Sequence, residues 1–340
     1  MISWPVGARL LSEKNLFWER RTIMHVLGID IGGTKIAMGL VDEAGRVHEK
    51  KVFASKAHLG RESMLRRIVE QIRSIDHKVG VDVLGIGFPG TVMGKQAVIL
   101  ESVNVPGWQG VALKDLFQEQ VGKEVFVEND ANAAALGEWM VGAGQGTQDF
   151  VYLTISTGIG AGILSQGKLI TGVQGYAGEL GHTILQKDGP RCRCGNHGCW
   201  EALASGPAMA RSARVSLEQD KSSLMRIKKN FGAKDVFIAY EAHDQLATEI
   251  VEKAAAWSGL GLYNLIRTLN PERIAIGGGV GLGSARFVEK IKETVLLYAR
   301  SPLLMPEIVP AHLKDEAGII GSACVARYGL GYFPQGVKLL

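Results

Sequence analysis

The sequence lacks most of the features that would set it apart from an ordinary globular protein. Four cysteines are too few for a disulfide scaffold of 340 residues, and no run of about 18 apolar residues predicts a membrane helix. The net charge of +4 is small for this length and comes without a block of lysine or arginine, so binding to nucleic acid is not expected. These absences favour a protein of the reducing cytoplasm, with neither a membrane nor nucleic acid as a partner.

The few cysteines that are present lie close together. Three of the four fall within eight positions and a histidine precedes them by ten; the set is His182, Cys192, Cys194 and Cys199. Three thiolates and one imidazole form a closed tetrahedral set for Zn²⁺, which predicts a structural metal. His197 is an alternative fourth ligand. Buried apolar thiols or a disulfide are the other interpretation, but Cys192 and Cys194 are too close to bridge comfortably and the loop is polar.

The two halves of the chain begin in the same way. A strand, a glycine turn and a returning strand occupy residues 25–41, and the same series recurs over 150–165. Further buried strands are predicted at 83–88, 124–127 and 273–276, and helices at 59–75, 131–140, 246–269, 287–298 and 317–328. This repetition predicts a duplicated α/β architecture of two domains with a cleft between them, divided between Asp130 and Asp149.

Glycine-rich segments follow three of these strands. Their candidate ligand-binding residues are Asp30, Gly32, Gly33, Thr34 and Lys35 in the first, Thr157, Gly158 and Gly160 in the second, and Gly277, Gly278 and Gly279 in the third. None has P-loop spacing, and each alone could be an ordinary turn. Together they predict backbone amides that converge on a triphosphate and its adenosine, with Asp30 able to hold Mg²⁺ through water.

Polar side chains that could meet a sugar lie around the same cleft. Asp130 follows a strand and could be a helix N-cap, yet a carboxylate at a strand's carboxyl end is also where α/β proteins bind ligands. Asn129 offers a donor and an acceptor for a hydroxyl group, and so does Asn104 unless it is only a turn residue. Glu179 and Glu201 flank the cysteine loop, where a bound metal would fix their positions.

Taken together, these motifs resemble the ROK (repressor, open reading frame, kinase) family over roughly residues 24–328. The resemblance implies an actin-like, ribonuclease-H-like fold. Its expected parts are an extension over 1–23, a smaller α/β domain over 24–130 that the helix over 317–328 rejoins, and a larger α/β domain over 131–316 that carries the zinc loop. It also implies ATP with Mg²⁺, a structural zinc, and phosphorylation of glucose or a related hexose at the 6-hydroxyl.

The resemblance assigns roles residue by residue. Asp130 would be the general base, Asn129, Glu179, His182 and Glu201 would hold the sugar hydroxyls, and His182 would also ligate zinc. The same motifs would serve a kinase for N-acetylmannosamine, N-acetylglucosamine or fructose. The family's repressors carry a helix-turn-helix domain before the first strand, where 23 residues stand here, and an actin-like scaffold would not need metal-braced carboxylates. We therefore expect an enzyme, and a homo-oligomer (dimer or tetramer).

Overall fold

The computed structural model describes residues 24–102, 104–219, 222–227 and 229–334, so the extension predicted over 1–23 lies outside the described residues. Strands in these ranges are β1 (Val26–Ile31), β2 (Lys35–Val41), β3 (Val47–Ala54), β4 (Val83–Phe88), β5 (Thr91–Met93), β6 (Val98–Glu101), β7 (Glu124–Asn129), β8 (Phe150–Ile155), β9 (Ile159–Ser165), β10 (Lys168–Leu169), β11 (Arg273–Gly277) and β12 (Glu307–Pro310).

Helices alternate with these strands. They are α1 (Arg61–Val79), α2 (Leu113–Val121), α3 (Asp130–Val141), α4 (Trp200–Ala204), α5 (Gly206–Gln219), α6 (Ala233–Glu241), α7 (Gln245–Leu269), α8 (Gly278–Gly281), α9 (Ala285–Ala299) and α10 (Ala317–Gly329). Short 3₁₀ turns cover Ala57–Leu59, Leu180–His182, Pro302–Leu304 and Lys314–Glu316. No helix within the described ranges is long and apolar enough to cross a membrane.

The strands form two sheets of the same topology. The first has the order β3-β2-β1-β4-β7 and the second the order β10-β9-β8-β11-β12. In each, an antiparallel meander supplies three strands and two parallel strands extend the sheet from the middle. The parallel strands need crossover connections, which the helices provide. The duplicated α/β architecture predicted from the sequence is therefore confirmed, while the exact domain limits stay a prediction.

Helices α3 and α10 lie between the two sheets. Their buried residues share one apolar cluster with residues of both sheets, whereas each sheet also has a separate core on its far side. Small residues let α10 approach closely, because a side chain at Gly28 or Gly85 would collide with the backbone of α10 at Ile319 or Ser322. The last helix thus packs directly on β1 and β4 of the first sheet.

The third glycine segment differs from its prediction. Instead of a loop over 277–279, Gly277 is the last residue of β11 and Gly278–Gly281 forms a single helical turn. Gly278 has a φ of 84°, and a side chain there would collide with the Ile155 carbonyl of the neighbouring strand. The close approach of β8 and the positive φ together require glycine at this position.

A buried carboxylate ties α3 to the segment that leads into α10. Glu138 is fully buried, and its oxygens accept hydrogen bonds from the backbone amides of Ala143 (2.8 Å), His312 (3.1 Å) and Leu313 (2.8 Å). Two of these amides lie more than 170 positions after Glu138 in the chain. Glu138 therefore joins the two helices that connect the sheets.

We expect Glu138→Ala to lower the free energy of unfolding by about 3 kcal/mol, because backbone amides would lose their acceptor in a buried setting. Urea unfolding at pH 7 measures the change. Glu293→Ala is the matched control, since Glu293 is exposed and, among the described residues, pairs with Lys290 on the surface of α9; such pairs contribute little. Equal stability of the two variants would contradict the role assigned to Glu138.

Candidate active site

Two aspartates end parallel strands of the first sheet and face the same cleft. Asp30 lies near the end of β1, and Asp130 follows β7 directly as the first residue of α3. Gly87 is the partner of Asp30 on the intervening strand β4, and a Cβ there would lie 2.9 Å from Oγ of Ser322 in α10 and 3.8 Å from the Cα of Asp130. Glycine at this position therefore leaves room for the Ser322 side chain of α10 beside the two aspartates.

The helix cap next to Asp130 is Asn129. Its Oδ1 accepts hydrogen bonds from the amides of Ala131 (2.9 Å) and Asn132 (3.1 Å), which satisfies the free N–H groups at the start of α3. The capping interpretation of Asp130 is therefore wrong. The Nδ2 of Asn129 donates to the Gly90 carbonyl at 3.1 Å, so one amide hydrogen remains for a ligand.

The pKa of the Asp130 carboxyl group suits a proton acceptor. The side chain still meets solvent, but the cleft walls displace bulk water around it. This desolvation raises the pKa of Asp130 from 3.8 to about 7, and the nearby carboxylates of Asp30 and Glu179 contribute in the same direction. A pKa near the working pH is the value that general acid–base catalysis favours.

The first glycine turn and the Asn104 loop lie against each other. The turn closes through a hydrogen bond from the Gly32 amide to the Lys35 carbonyl at 2.9 Å, and Thr34 and Lys35 are exposed at its tip. A Cβ on Gly33 would lie 2.6 Å from the carbonyl oxygen of Asn104, so only glycine allows this contact. Asn104 is exposed and is thus placed beside the turn that the sequence predicted to hold phosphate.

A pocket of about 790 Å³ opens between the second glycine turn and α8. Ser156, Thr157 and Gly279 line it together with apolar and basic residues of α5, of the start of α6 and of the segment before α6. Its volume is in the range of small-molecule sites. Thr157 of the second glycine segment and Gly279 of the third therefore line one cavity, while the binding of a nucleotide there stays a prediction.

Several pocket residues were not recognised from the sequence. The guanidinium of Arg214 lies 5.4 Å from the ring centroid of Phe231, and Lys234 lines the same cavity. Residues of this kind carry no motif, and they come from helices that sequence periodicity did not predict. Helices α5 and α6 pack on each other and on the long helix α7, and this packing brings the two residues to the glycine segments.

The cysteine cluster has the geometry of a metal site. The Sγ of Cys192 lies 3.7 Å from Nδ1 of His182, the Sγ atoms of Cys194 and Cys199 are 3.6 Å apart, and all four ligand atoms lie within 4.8 Å of one another. Four ligands around a metal with bonds of about 2.3 Å would be separated by about 3.8 Å. The cluster therefore fits one tetrahedral ion. His197 is exposed and stands outside it.

The raised pKa of a clustered thiol also indicates a site for a cation. Burial and the two neighbouring sulfurs raise the pKa of Cys199 to about 12. Three thiolates this close together repel one another, so the cluster needs a cation if its sulfurs are to be ionised at neutral pH.

The two glutamates predicted to hold sugar lie on either side of the cluster. Glu179 precedes the 3₁₀ turn that ends at His182, and its Oε2 lies 3.9 Å from Nε2 of that histidine. Glu201 is on α4, two residues after Cys199. Desolvation raises the pKa of Glu179, and the charge of Glu201 adds to the effect. His182 thus directs one ring nitrogen to the sulfurs and the other to the cleft carboxylate.

The fold and the cleft define the class of protein. The fold is that of the actin-like, ribonuclease-H-like ATPases. It has two sheets of repeated topology, glycine turns at the strand ends and carboxylates between the sheets. The model of the ROK family matches residues 26–328, and the chain belongs to that family.

Similar proteins are found among both sequences and solved structures. The glucokinase of Thermotoga maritima is 34% identical over 313 residues, which cover 91% of this chain and 99% of that protein. A ROK hexokinase from Thermus thermophilus is 35% identical with a TM-score of 0.78, covering 90% of this chain and 99% of that one. A ROK family glucokinase from Streptomyces griseus, solved with glucose and AMPPNP, is 35% identical with a TM-score of 0.75, covering 90% and 100%.

Proposed function

We propose that this protein is a glucokinase, which transfers the γ-phosphoryl group of ATP to the 6-hydroxyl of glucose. The observation that carries the proposal is the position of Asp130 directly after the parallel strand β7; desolvation and the carboxylates of Asp30 and Glu179 raise its pKa to about 7 there. Similarity to glucokinases along nearly the whole chain supports the choice of glucose.

In this mechanism Asp130 accepts the proton of the 6-hydroxyl as that oxygen attacks the γ-phosphorus and ADP leaves. Asn104, Asn129, Glu179, His182 and Glu201 orient the sugar through its hydroxyl groups. Amides of the first two glycine turns hold the phosphates, and the pocket beside Gly279 takes the adenosine. Phosphoryl transfer depends mainly on such positioning and on charge balance.

Magnesium and zinc belong to the proposal in different roles. Mg²⁺ bound with the nucleotide would balance phosphate charge, and Asp30, in the same segment as Thr34 and Lys35, would hold it through water. Three thiolates and one imidazole are a preferred set for Zn²⁺, and this set leaves no open position for substrate. Zinc would thus brace the loop between Glu179 and Glu201 and take no part in the reaction.

We also propose that the chain works as two domains, over 24–130 and 131–316, with α10 packed on the first. Each sheet has its own core, and α3 and α10 connect them, which supports a cleft that closes on its substrates. Closure would exclude water from the γ-phosphoryl group and so limit hydrolysis of ATP.

A coupled assay with a hexose panel tests the proposal. The full chain, with Mg²⁺ and ATP, is offered glucose, fructose, N-acetylglucosamine and N-acetylmannosamine. We expect the highest kcat/KM with glucose. A higher value with an N-acetyl hexose would move the assignment to that sugar, and no phosphorylation of any hexose would overturn the proposal.

A further inference from the structure

Glu201 is held from two directions. Its Oε2 accepts a hydrogen bond of 3.1 Å from the backbone amide of Ile159, in the second glycine turn. Its Oε1 lies 3.8 Å from Nη2 of Arg193, in the loop between two of the clustered cysteines. The Glu201 side chain is only 14% exposed. One carboxylate therefore bridges the metal loop and a turn that belongs to the nucleotide site.

The neighbouring glycine leaves room for this bridge. A Cβ at Gly158 would lie 2.5 Å from Oε2 of Glu201, and apart from its two chain neighbours the only described atoms within 4 Å of it belong to Glu201. Gly158 is not among the residues with positive φ, so its backbone conformation suits an alanine. A methyl group at position 158 would thus act on the Glu201 carboxylate and on no other described group.

A held carboxylate binds a sugar hydroxyl better than a mobile one. Hydrogen bonds from backbone amides are directional and so orient the oxygen that accepts them. They also remove side-chain freedom before the ligand arrives, so binding need not supply that ordering. The carboxylate has further lone pairs, which leaves acceptor positions for a sugar hydroxyl.

We propose that the second glycine turn positions Glu201, and that Glu201 thereby couples the nucleotide site to the sugar site. A nucleotide phosphate held by Thr157 and Gly158 orders the turn, the Ile159 amide then fixes the carboxylate, and the sugar binds more tightly. Coupling of this kind is reciprocal, so sugar tightens nucleotide binding by the same factor. The inference rests on the proposed function.

The test uses calorimetric titrations and steady-state kinetics on the full chain. In the wild type, saturating AMP-PNP with Mg²⁺ should lower the Kd for glucose at least about fivefold, and glucose should lower the Kd for AMP-PNP equally. Gly158→Ala should reduce kcat/KM for glucose about tenfold. It should also bring the ratio of the glucose Kd values without and with AMP-PNP close to one. In a Glu201→Ala background the same glycine substitution should lower kcat/KM by a much smaller factor than in the wild type, since the carboxylate that the methyl group contacts is gone.

The cycle of single and double variants separates this inference from its alternatives. Equal losses from Gly158→Ala in both backgrounds would overturn it, because the methyl group would then act through something other than Glu201. Glucose affinity in the wild type that does not respond to AMP-PNP would overturn it as well. Failure of the proposed function would look different, since the wild type would then phosphorylate no hexose.

Discussion

Asp130→Asn should lower turnover by about a hundredfold or more while glucose affinity stays within an order of magnitude. Asparagine keeps the size and polarity of the side chain but accepts no proton at neutral pH. Asp130 does not cap α3, a role that falls to Asn129, so the substitution should leave the helix intact. Steady-state kinetics and glucose titration measure the two effects separately.

The pH dependence gives a second readout of the same residue. Because the pKa of Asp130 is raised to about 7, its carboxylate is protonated below that pH and cannot act as a base. We therefore expect kcat/KM for glucose to rise with pH to a half-maximum near 7, and this step to disappear from the residual activity of Asp130→Asn.

The contribution of Asp130 to the stability of the folded protein should fall as pH rises, whereas kcat/KM rises. The folded pKa lies above the unfolded value of 3.8, so the ionised carboxylate destabilises the native state above pH 7, and this cost vanishes as pH falls through the window between the two values. Asp130→Asn should accordingly melt at a higher temperature than the wild type at pH 8, with the difference shrinking towards pH 4.

Asp115→Asn is the control for both measurements, since Asp115 is exposed on α2, away from the cleft. It should match the wild type in turnover and pH profile. Turnover of Asp130→Asn close to that of the control would remove Asp130 from the proton transfer.

Cys194→Ala should lose the metal and raise the KM for glucose at least about tenfold. Glu179, His182 and Glu201 adjoin the cluster, and without the ion their side chains would have to be ordered by the sugar itself. Ordering such groups costs about 1–2 kcal/mol, and 1.4 kcal/mol is about a factor of ten in affinity. Cys194 is exposed, so its truncation leaves no cavity in a core.

Nucleotide binding in the absence of sugar should change little, because the pocket beside Thr157 and Gly279 contains none of the cluster residues. Elemental analysis measures the metal, and separate titrations measure glucose and AMP-PNP. Cys324→Ala is the matched control: this fourth cysteine is buried in α10, outside the cluster, and its loss should leave metal content unchanged.

Two results would count against the metal's role in sugar binding. Unchanged glucose affinity in folded, metal-free Cys194→Ala would contradict it directly. Equal losses for sugar and nucleotide would mean instead that the metal supports the fold as a whole.

Local patterns in the sequence predicted a large part of the fold. The repeated strand–turn–strand units and the long helix of α7 are local features, because alternation, glycine turns and helical periodicity depend on near neighbours. Helices α5 and α6 and the helical turn at Gly278 were missed, since their conformation depends on tertiary packing. Helices α5 and α6 lie against α7, and the turn lies against β8.

The sequence by itself determined the chemistry of the groups in the cleft: clustered thiols, paired glutamates, an aspartate after a strand and three glycine segments. Only the tertiary structure decided that His182 completes the cluster, that Asn129 is the cap, and that the Ile159 amide holds Glu201. These outcomes depend on contacts between distant parts of the chain. Residue type and spacing specify what a side chain can bind, whereas its actual partner depends on how the sheets, helices and loops pack.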